Sequence, residues 1–385
     1  MAWLDPSTAS AALFAAAESG AEARAAAEYA RAKKARGPGV AVPAEDVREA
    51  AIVRRQSPAS LRKALKNEAE LAGMRACHLR DGAAVVRFLK WLGDAVDAGE
   101  ALDECSVSDR LEAERRAAGG YKSLSFDTIA GCGPNGAIIH YRAEPESCRA
   151  LAAGDMFLLD SGAQYEDGTT DVTRTMFLGS GEPDARHRRC FTAVLKGNIA
   201  VDTAVYPEGT PGCALDVLAR GALWRAGLNY LHGTGHGVGA ALNVHEGPQS
   251  ISPRFGNLTP LEAGMVLSNE PGYYEDGAFG IRIENLLVVR EMKTENNFGG
   301  KAFFGFERLT HIPIQKALID TSMLTPDEAN WVDTYHADVR ERLAPLLQSA
   351  DDAEALAFLE EATAPLDRVG LGEASGARAE FVAAA

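Results

Sequence analysis

Basic residues are in the minority in this 385-residue chain: 39 Lys and Arg stand against 54 Asp and Glu, a formal net charge of −15. With no basic stripe to neutralise phosphates, no nucleic-acid partner is expected. The one basic run, RAKKAR at 31–36, reads as a solvated helix end. Cysteine is sparse and scattered: Cys77, Cys105, Cys132, Cys148, Cys190 and Cys213 include no Cys-x-x-Cys pair. Free thiols in a reducing compartment are therefore expected. Long apolar runs are missing too, so no membrane span is expected. The opening Met-Ala-Trp-Leu-Asp-Pro lacks the basic flank and apolar core of a secretory signal, which makes a cytoplasmic location the expectation.

What is present is enough apolar sequence for a sizeable core, 46% of the residues, with an ordinary 24% charged. The length allows one large domain or two. Residues 1–57 are Ala-rich, with a helix expected from Ser10 to about Arg36, before Gly37-Pro38-Gly39. Asn67 and Glu70 have the spacing of a capping box that opens a long amphipathic helix through Leu71, Met74, Val85, Phe88, Leu89 and Leu92. Ser106 followed by Asp109 predicts a second helix start, Thr210-Pro211 a third and Thr325-Pro326 a fourth. From Phe126 the period shortens. Residues 156–160 and 171–177 read as strands around Asp167-Gly168, a hairpin signal, and 265–270 and 280–289 as two more. Antiparallel strands with separate long helices favour an α+β architecture.

Five side chains, Asp160, Asp171, His236, Glu270 and Glu284, read together as a two-metal site. Four carboxylates gathered in one pocket raise each other's pKa unless cations neutralise them. An oxygen-rich shell with one imidazole and no thiolate suits manganese, cobalt or zinc. Each member is ambiguous alone. Asp160 and Asp171 flank the hairpin about symmetrically, where facing Cβ atoms lie roughly 5 Å apart, yet Asp is common near turns. His232-Gly-Thr-Gly-His236-Gly-Val-Gly has the His-x-x-x-His spacing of a helical zinc site, but its glycines weaken a helix and the Glu of that motif is absent. A glycine-rich loop with close backbone approach fits better. A phosphate loop is disfavoured because no Lys-Ser/Thr follows. Glu270 stands at a strand end before Pro271-Gly272, and alternation puts Arg282 and Glu284 on one face of their strand. The neighbouring 286–289 run suggests burial, and a buried Glu needs a partner or a metal.

The segments 133–141 (GPNGAIIHY), 159–175 (LDSGAQYEDGTTDVTRT), 231–239 (LHGTGHGVG), 243–248 (NVHEGP) and 270–285 (EPGYYEDGAFGIRIEN) closely resemble the Xaa-Pro aminopeptidase (aminopeptidase P) family. The resemblance covers roughly residues 63–365. It implies a pita-bread catalytic fold, with two pseudo-symmetric αβ halves around a dinuclear site, usually manganese. Carried over by position, Asp160 resembles a ligand of one metal alone. Asp171 and Glu284 resemble bridging carboxylates, and His236 and Glu270 complete the second metal. His140, His232 and His245 resemble non-ligand histidines lining the site, and Tyr274 and Arg282 groups that orient the ligands.

The activity implied is release of the N-terminal residue from peptides with proline second, by attack of a metal-bridging hydroxide. Glu270 would accept and return the proton, His245 would stabilise the oxyanion, and His232 and His140 would position the substrate. Two further domains precede the catalytic one in the long family members. Here residues 1–57 correspond at most to the tail of the second, with Trp3-Leu4-Asp5-Pro6 a remnant of its last strand. The expected division is a remnant at 1–57, a catalytic domain at 58–315, a helical extension at 316–369 and a disordered tail at 370–385. A homodimer formed through the catalytic domain is a family expectation. Two alternatives stay open, a prolidase-like dipeptidase using the same five ligands and a binding scaffold impaired in catalysis; methionine aminopeptidase fits the long segments less well.

Overall fold

In the computed structural model, which describes residues 2–4, 11–36, 52–54, 57–367 and 380–382, the Ala-rich start forms the helix α1 (Ala11–Arg36). A short strand β1 (Ala2–Leu4) pairs in parallel with β2 (Ile52–Arg54), Trp3 opposite Val53. Asp5 and Pro6 lie outside the described residues. The chain divides into two compact units, Met1–Lys63 and Ala64–Ala385. The division falls past residue 57, at the last residue of a short helix, α2 (Pro58–Ala64), where Ala64 is buried.

The second unit opens on α3 (Glu68–Asp97), capped as its sequence indicates. Asn67 Oδ1 accepts from Glu70 N at 2.9 Å and Glu70 Oε2 from Asn67 N at 2.9 Å. Its apolar stripe, including Leu71, Met74, Phe88 and Leu92, is buried, each side chain contributing about 1.5–3 kcal/mol. The next helix, α4 (Glu104–Ala117), starts earlier than Ser106-Asp109 indicates. Asp103 is the N-cap and Ser106 its N3 partner, because the Asp103 carboxylate is the better acceptor for the Ser106 amide, 2.7 Å away.

Two antiparallel sheets carry the strand half. In the first, β4 (Ile129–Cys132), β5 (Met156–Ser161) and β7 (Val172–Phe177) run in the order β4-β5-β7. A small pair beside it joins β3 (Tyr121–Leu124) to β6 (Ala163–Tyr165). The connection from β5 to β7 is therefore longer than a two-residue hairpin. Asp167-Gly168 forms the tip, but β6 leaves the β5 line to pair elsewhere, and Asp160 faces Thr173 rather than Asp171.

Helix α5 (Ala185–Asp202) follows, then β8 (Tyr206–Pro207) and α6 (Cys213–Arg225). Thr210-Pro211 does not cap α6. Thr210 O accepts from Leu261 N and Pro211 bridges Pro260, so this dipeptide is spent on an extended pairing and the N-cap falls to Gly212. After β9 (Gly235–His236) and β10 (Ser250–Ile251) comes the second sheet. Its order is β11-β14-β15-β8, formed by β11 (Val266–Asn269), β14 (Asn285–Lys293), β15 (Phe303–Arg308) and β8. A hairpin of β12 (Gly272–Glu275) and β13 (Phe279–Arg282) connects β11 to β14. The single strand expected at 280–289 is interrupted at Ile283-Glu284.

Helix α7 (Pro326–Ser349), boxed by Thr325 and Glu328, and α8 (Ala353–Ala362) pack on α3. Residues 316–367 fall in the second compact unit. Within the tail expected to be disordered, Glu380–Phe381 form β16 on the edge of β14, where Phe381 faces Met292; the rest of it lies outside the described residues. The fold is α+β, with antiparallel sheets and helices in separate segments. No helix among the described residues is long and apolar enough to cross a membrane.

Candidate metal centre

The carboxylates arrive on the ends and breaks of the two sheets. Asp160 is on β5 and Asp171 immediately precedes β7. Glu270 follows β11, and Glu284 occupies the break between β13 and β14. Strand ends suit this task, since the side chain points from a rigid frame while the backbone is free to turn away. His236 comes from the glycine-rich segment, which is not helical. Gly235 and Gly237 are required there by close approach. A Cβ on Gly235 would stand 2.0 Å from Ser268 O, and one on Gly237 2.0 Å from Glu246 O. The glycines let β9 press against the end of β11 and deliver His236 to Glu270.

Asp171, His236 and Glu284 each offer a ligand atom within 4.8 Å of the others. His236 Nε2 is 3.4 Å from Asp171 Oδ2 and 3.5 Å from Glu270 Oε1. Its Nδ1 faces Gly237 O at 3.0 Å; a carbonyl only accepts, so Nδ1 carries a proton, which leaves Nε2 as the atom that meets the carboxylates and would take a metal. Glu284 accepts from Thr173 Oγ1 at 2.7 Å, and Glu270 from Ser268 Oγ at 3.1 Å. Arg282, 2% exposed, joins the pocket through Asp160 rather than through Glu284. Its Nη2 donates to Asp160 Oδ2 at 2.6 Å, its Nε to Thr173 Oγ1 at 3.1 Å and its Nη1 to Tyr274 Oη at 2.6 Å. Arg282 and Glu284 do not share a strand face, because the strand breaks at Ile283-Glu284, but both meet Thr173 Oγ1.

The histidines expected to line the site are grouped around it. His232 Nδ1 faces Gly233 O at 2.7 Å and lies 4.0 Å from Glu270 Oε2, while its Nε2 is 2.9 Å from Tyr274 Oη. The His245 ring packs edge-on against His236, centroids 4.0 Å apart. His140, on an exposed loop position, is near enough to His245 to help depress its pKa.

The electrostatics show a surplus of negative charge. Burial, then the charges of Asp160 and Glu270, outweigh the His236 hydrogen bond and push Asp171 up to about 7. Glu284 is raised well above the carboxylate range by burial and by Asp171, Glu270 and Asp160. Burial raises Asp160 too, against the pull of Arg282. Burial works against a charged His236, yet Asp171 and Glu270 prevail and raise it to about 9. Burial lowers His232 and His245. Asp160 Oδ1 is buried with no hydrogen-bond partner. An orphaned carboxylate oxygen beside carboxyls that resist ionisation fits a site for divalent cations, which supply the missing partners and charge.

Sequence reasoning missed two residues that hold this pocket in shape. Arg174, buried, reaches Glu284 O at 2.6 Å, Asn285 Oδ1 at 2.8 Å, Ile312 O at 2.8 Å and Tyr335 Oη at 2.7 Å. Asn198 on α5 donates to Asn269 O at 2.9 Å and Ile283 O at 3.0 Å, the carbonyls just before Glu270 and Glu284. An unpaired Arg inside the β7 run was the available signal for the first; an Asn in mid-helix gives none.

The fold and this donor set are those of a dinuclear metallohydrolase centre. The chain belongs to metallopeptidase family M24: the family model matches residues 72–291, and that of the C-terminal region of peptidase M24 matches residues 302–366. It is similar to Aminopeptidase P2 of Arabidopsis thaliana, 59% identical over 295 residues, which cover 77% of this chain and 41% of that protein. It is also similar to a probable Xaa-Pro aminopeptidase P of Laccaria bicolor, 52% identical over 312 residues, or 81% of this chain and 48% of that one. The chain spans about half the length of the curated relatives it matches. Among solved structures, the X-prolyl aminopeptidase of Caenorhabditis elegans, a cytosolic enzyme with a di-nuclear active site, superposes with a TM-score of 0.79. It is 39% identical, and the match covers 90% of this chain and 57% of that one. The prolidase of Pyrococcus furiosus superposes at 0.53 with 28% identity, over 71% and 74% of the two chains. The pita-bread α+β fold is shared with these structures.

Proposed function

We propose that this chain is a metal-dependent aminopeptidase that removes the N-terminal residue from peptides with proline second. The observation that carries the reading is the convergence of Asp171, His236 and Glu284 within 4.8 Å, with Glu270 beside His236 and the orphaned Asp160 oxygen adjoining. The relative named a probable Xaa-Pro aminopeptidase P, 52% identical, and the solved X-prolyl aminopeptidase, 39% identical, support the substrate class. Asp160, Asp171, His236, Glu270 and Glu284 would hold two divalent ions, manganese by preference. When bound, such ions polarise a carbonyl oxygen and supply a water nucleophile at neutral pH.

The chain's own groups do the rest in this reading. Glu270 takes a proton from the attacking water and returns it to the departing proline nitrogen. His245, whose pKa is lowered, is neutral at pH 7 and keeps one N–H with which to donate to the developing oxyanion. His232 and His140 orient the peptide. Tyr274 takes a hydrogen bond from Arg282 and gives its own proton to His232 Nε2, because His232 Nδ1 is already the donor to Gly233 O. Arg282 in turn fixes Asp160. A cytoplasmic location and a homodimer belong to the same reading.

The test is turnover of a Xaa-Pro-Xaa tripeptide and of a Xaa-Pro dipeptide by the purified chain supplied with manganese, with and without chelator. Tripeptide cleavage abolished by chelator is expected. Activity indifferent to chelator, or none with metal demonstrably bound, overturns the aminopeptidase, and cleavage of the dipeptide alone replaces it with the prolidase.

A further inference from the structure

Cys105 and Cys148 are separated by 42 intervening residues and carry no paired-cysteine motif, yet the fold sets them side by side. Two backbone hydrogen bonds make the approach. Glu104 N donates to Arg149 O at 3.1 Å and Leu151 N to Leu102 O at 2.9 Å, flanking the antiparallel bridge Asp103–Ala150. Cys105 then lies in the first turn of α4 and Cys148 just before the bridging segment, which brings the two together. Their sulfurs lie within 4.8 Å of each other, and both side chains are half-buried, within reach of a small reagent. The bridge is held from beneath by the buried Glu104, whose carboxylate accepts from Cys132 N at 2.6 Å, Tyr141 Oη at 2.6 Å and Arg149 N at 2.7 Å. The thiols therefore meet on a fixed frame.

We propose that Cys105 and Cys148 form a reversible thiol–disulfide pair that tethers the loop carrying His140 to the first turn of α4. The nearby Asp103 makes a soft-metal site the competing reading, but its carboxylate already caps α4, accepting from Ser106 N at 2.7 Å. Ligating a metal would weaken that cap, whereas a disulfide asks nothing of Asp103. Among the described residues the other four cysteines fall in no such cluster: Cys77, Cys132 and Cys190 are buried, and Cys213 opens α6.

The oxidant is a low-molecular-weight disulfide, RSSR. The Cys148 thiol loses its proton and its sulfur attacks RSSR, releasing one RS⁻ and leaving a mixed disulfide. The Cys105 sulfur, after losing its own proton, attacks Cys148 Sγ and expels the second RS⁻. The two protons restore two RSH, so two thiols are oxidised and one RSSR is reduced. Burial and the neighbouring Cys148 raise the Cys105 thiol to about 11, which makes this second step the slower and base-dependent one.

The experiment treats the reduced whole chain with oxidised glutathione at pH 8, then blocks free thiols and maps tryptic peptides by mass spectrometry without reduction. The expected product joins the Cys105 and Cys148 peptides, two hydrogens lighter than their sum, and dithiothreitol reverses it. In Cys148→Ser the cross-link is absent and Cys105 stays open to alkylation. Amide exchange in residues 138–148 is expected to slow at least threefold in the oxidised chain. Glutathione adducts without a cross-link overturn the pair, and a cross-link that leaves exchange in 138–148 unchanged overturns the tether. Stoichiometric zinc uptake that protects both thiols assigns the cluster to a metal instead.

Discussion

Asn198 and Asn269 clasp each other: Asn198 Nδ2 donates to Asn269 O at 2.9 Å, and Asn269 Nδ2 returns the bond to Asn198 O at 2.9 Å. The same Asn198 amide also donates to Ile283 O at 3.0 Å. One side chain from α5 thereby joins the two backbone points that precede Glu270 and Glu284, at the end of β11 and the break before β14. Both Asn residues are fully buried.

Asn198→Ala leaves buried carbonyls without partners, at a cost of about 1–3 kcal/mol each. It also frees two glutamates to drift. The expected outcome is a lower Tm in the metal-free chain together with a roughly 10-fold to 100-fold loss of metal affinity, the size seen when groups behind metal ligands are removed. Thermal denaturation under chelator and a metal titration measure the two separately. Lost stability with unchanged metal affinity would show that the clasp holds the fold and not the ligands.

Tyr274→Phe removes the hydroxyl that links Arg282 to His232, at 2.6 and 2.9 Å. Metal content is expected to stay at the level of the unsubstituted chain, because Asp160 keeps its bond to Arg282 Nη2. His232 loses its Nε2 partner, and kcat/KM on a Xaa-Pro peptide is expected to fall about 10-fold to 100-fold. Retained kcat/KM would remove Tyr274 from the machinery.

The site was legible where chemistry is tied to short segments. The glycines around His236 announced close approach rather than a helix, and the stop at Glu270-Pro271-Gly272 announced a strand end. Partners that depend on tertiary register were not legible. Asp160 and Asp171 looked symmetric about a turn, but β6 departs to pair with β3 and shifts Asp160 opposite Thr173. Helix starts divided the same way. The boxes at Asn67 and Thr325 compete with nothing, whereas Ser106 lost to the carboxylate at Asp103, and Thr210-Pro211 was drawn into pairing with residues 260–261. Arg174 and Asn198 act through carbonyls more than 70 residues away, which no local pattern records.

The metal-free pocket should make stability depend on pH in a definite direction. Asp171 is raised from 3.8 to about 7, and His236 from 6.5 to about 9. A group with a raised folded pKa stabilises fully below its unfolded value and loses that contribution as pH climbs through the folded one. Both groups therefore act in the same sense, and the metal-free chain is expected to lose stability between about pH 4 and pH 9. Divalent ions bind the deprotonated groups, so their stabilising effect grows over the same range. The difference in Tm between metal-loaded and chelated protein is expected to widen steadily from pH 5 to pH 9. A constant difference would contradict the protonated pocket.

The loop that bears His245 is anchored at its next residue. Lys66 Nζ lies 3.3 Å from Glu246 Oε1, with side chains only 1% and 9% exposed, and Glu246 N donates to Gly237 O at 2.7 Å. Lys66→Met removes the ammonium from beside a buried carboxylate, a change that typically costs about 3–5 kcal/mol. Lys66→Met combined with Glu246→Gln removes both charges and is expected to recover much of that loss, because the desolvation of each ion disappears with it. Urea denaturation of the single and double variants closes the cycle. If the ion pair also sets the loop, the double variant regains stability while its turnover of Xaa-Pro peptide stays depressed, since without the ion pair residue 246 no longer anchors the loop that carries His245. Strictly additive losses in stability would show that the two side chains do not act on each other, and full recovery of turnover would show that the loop finds its place without them.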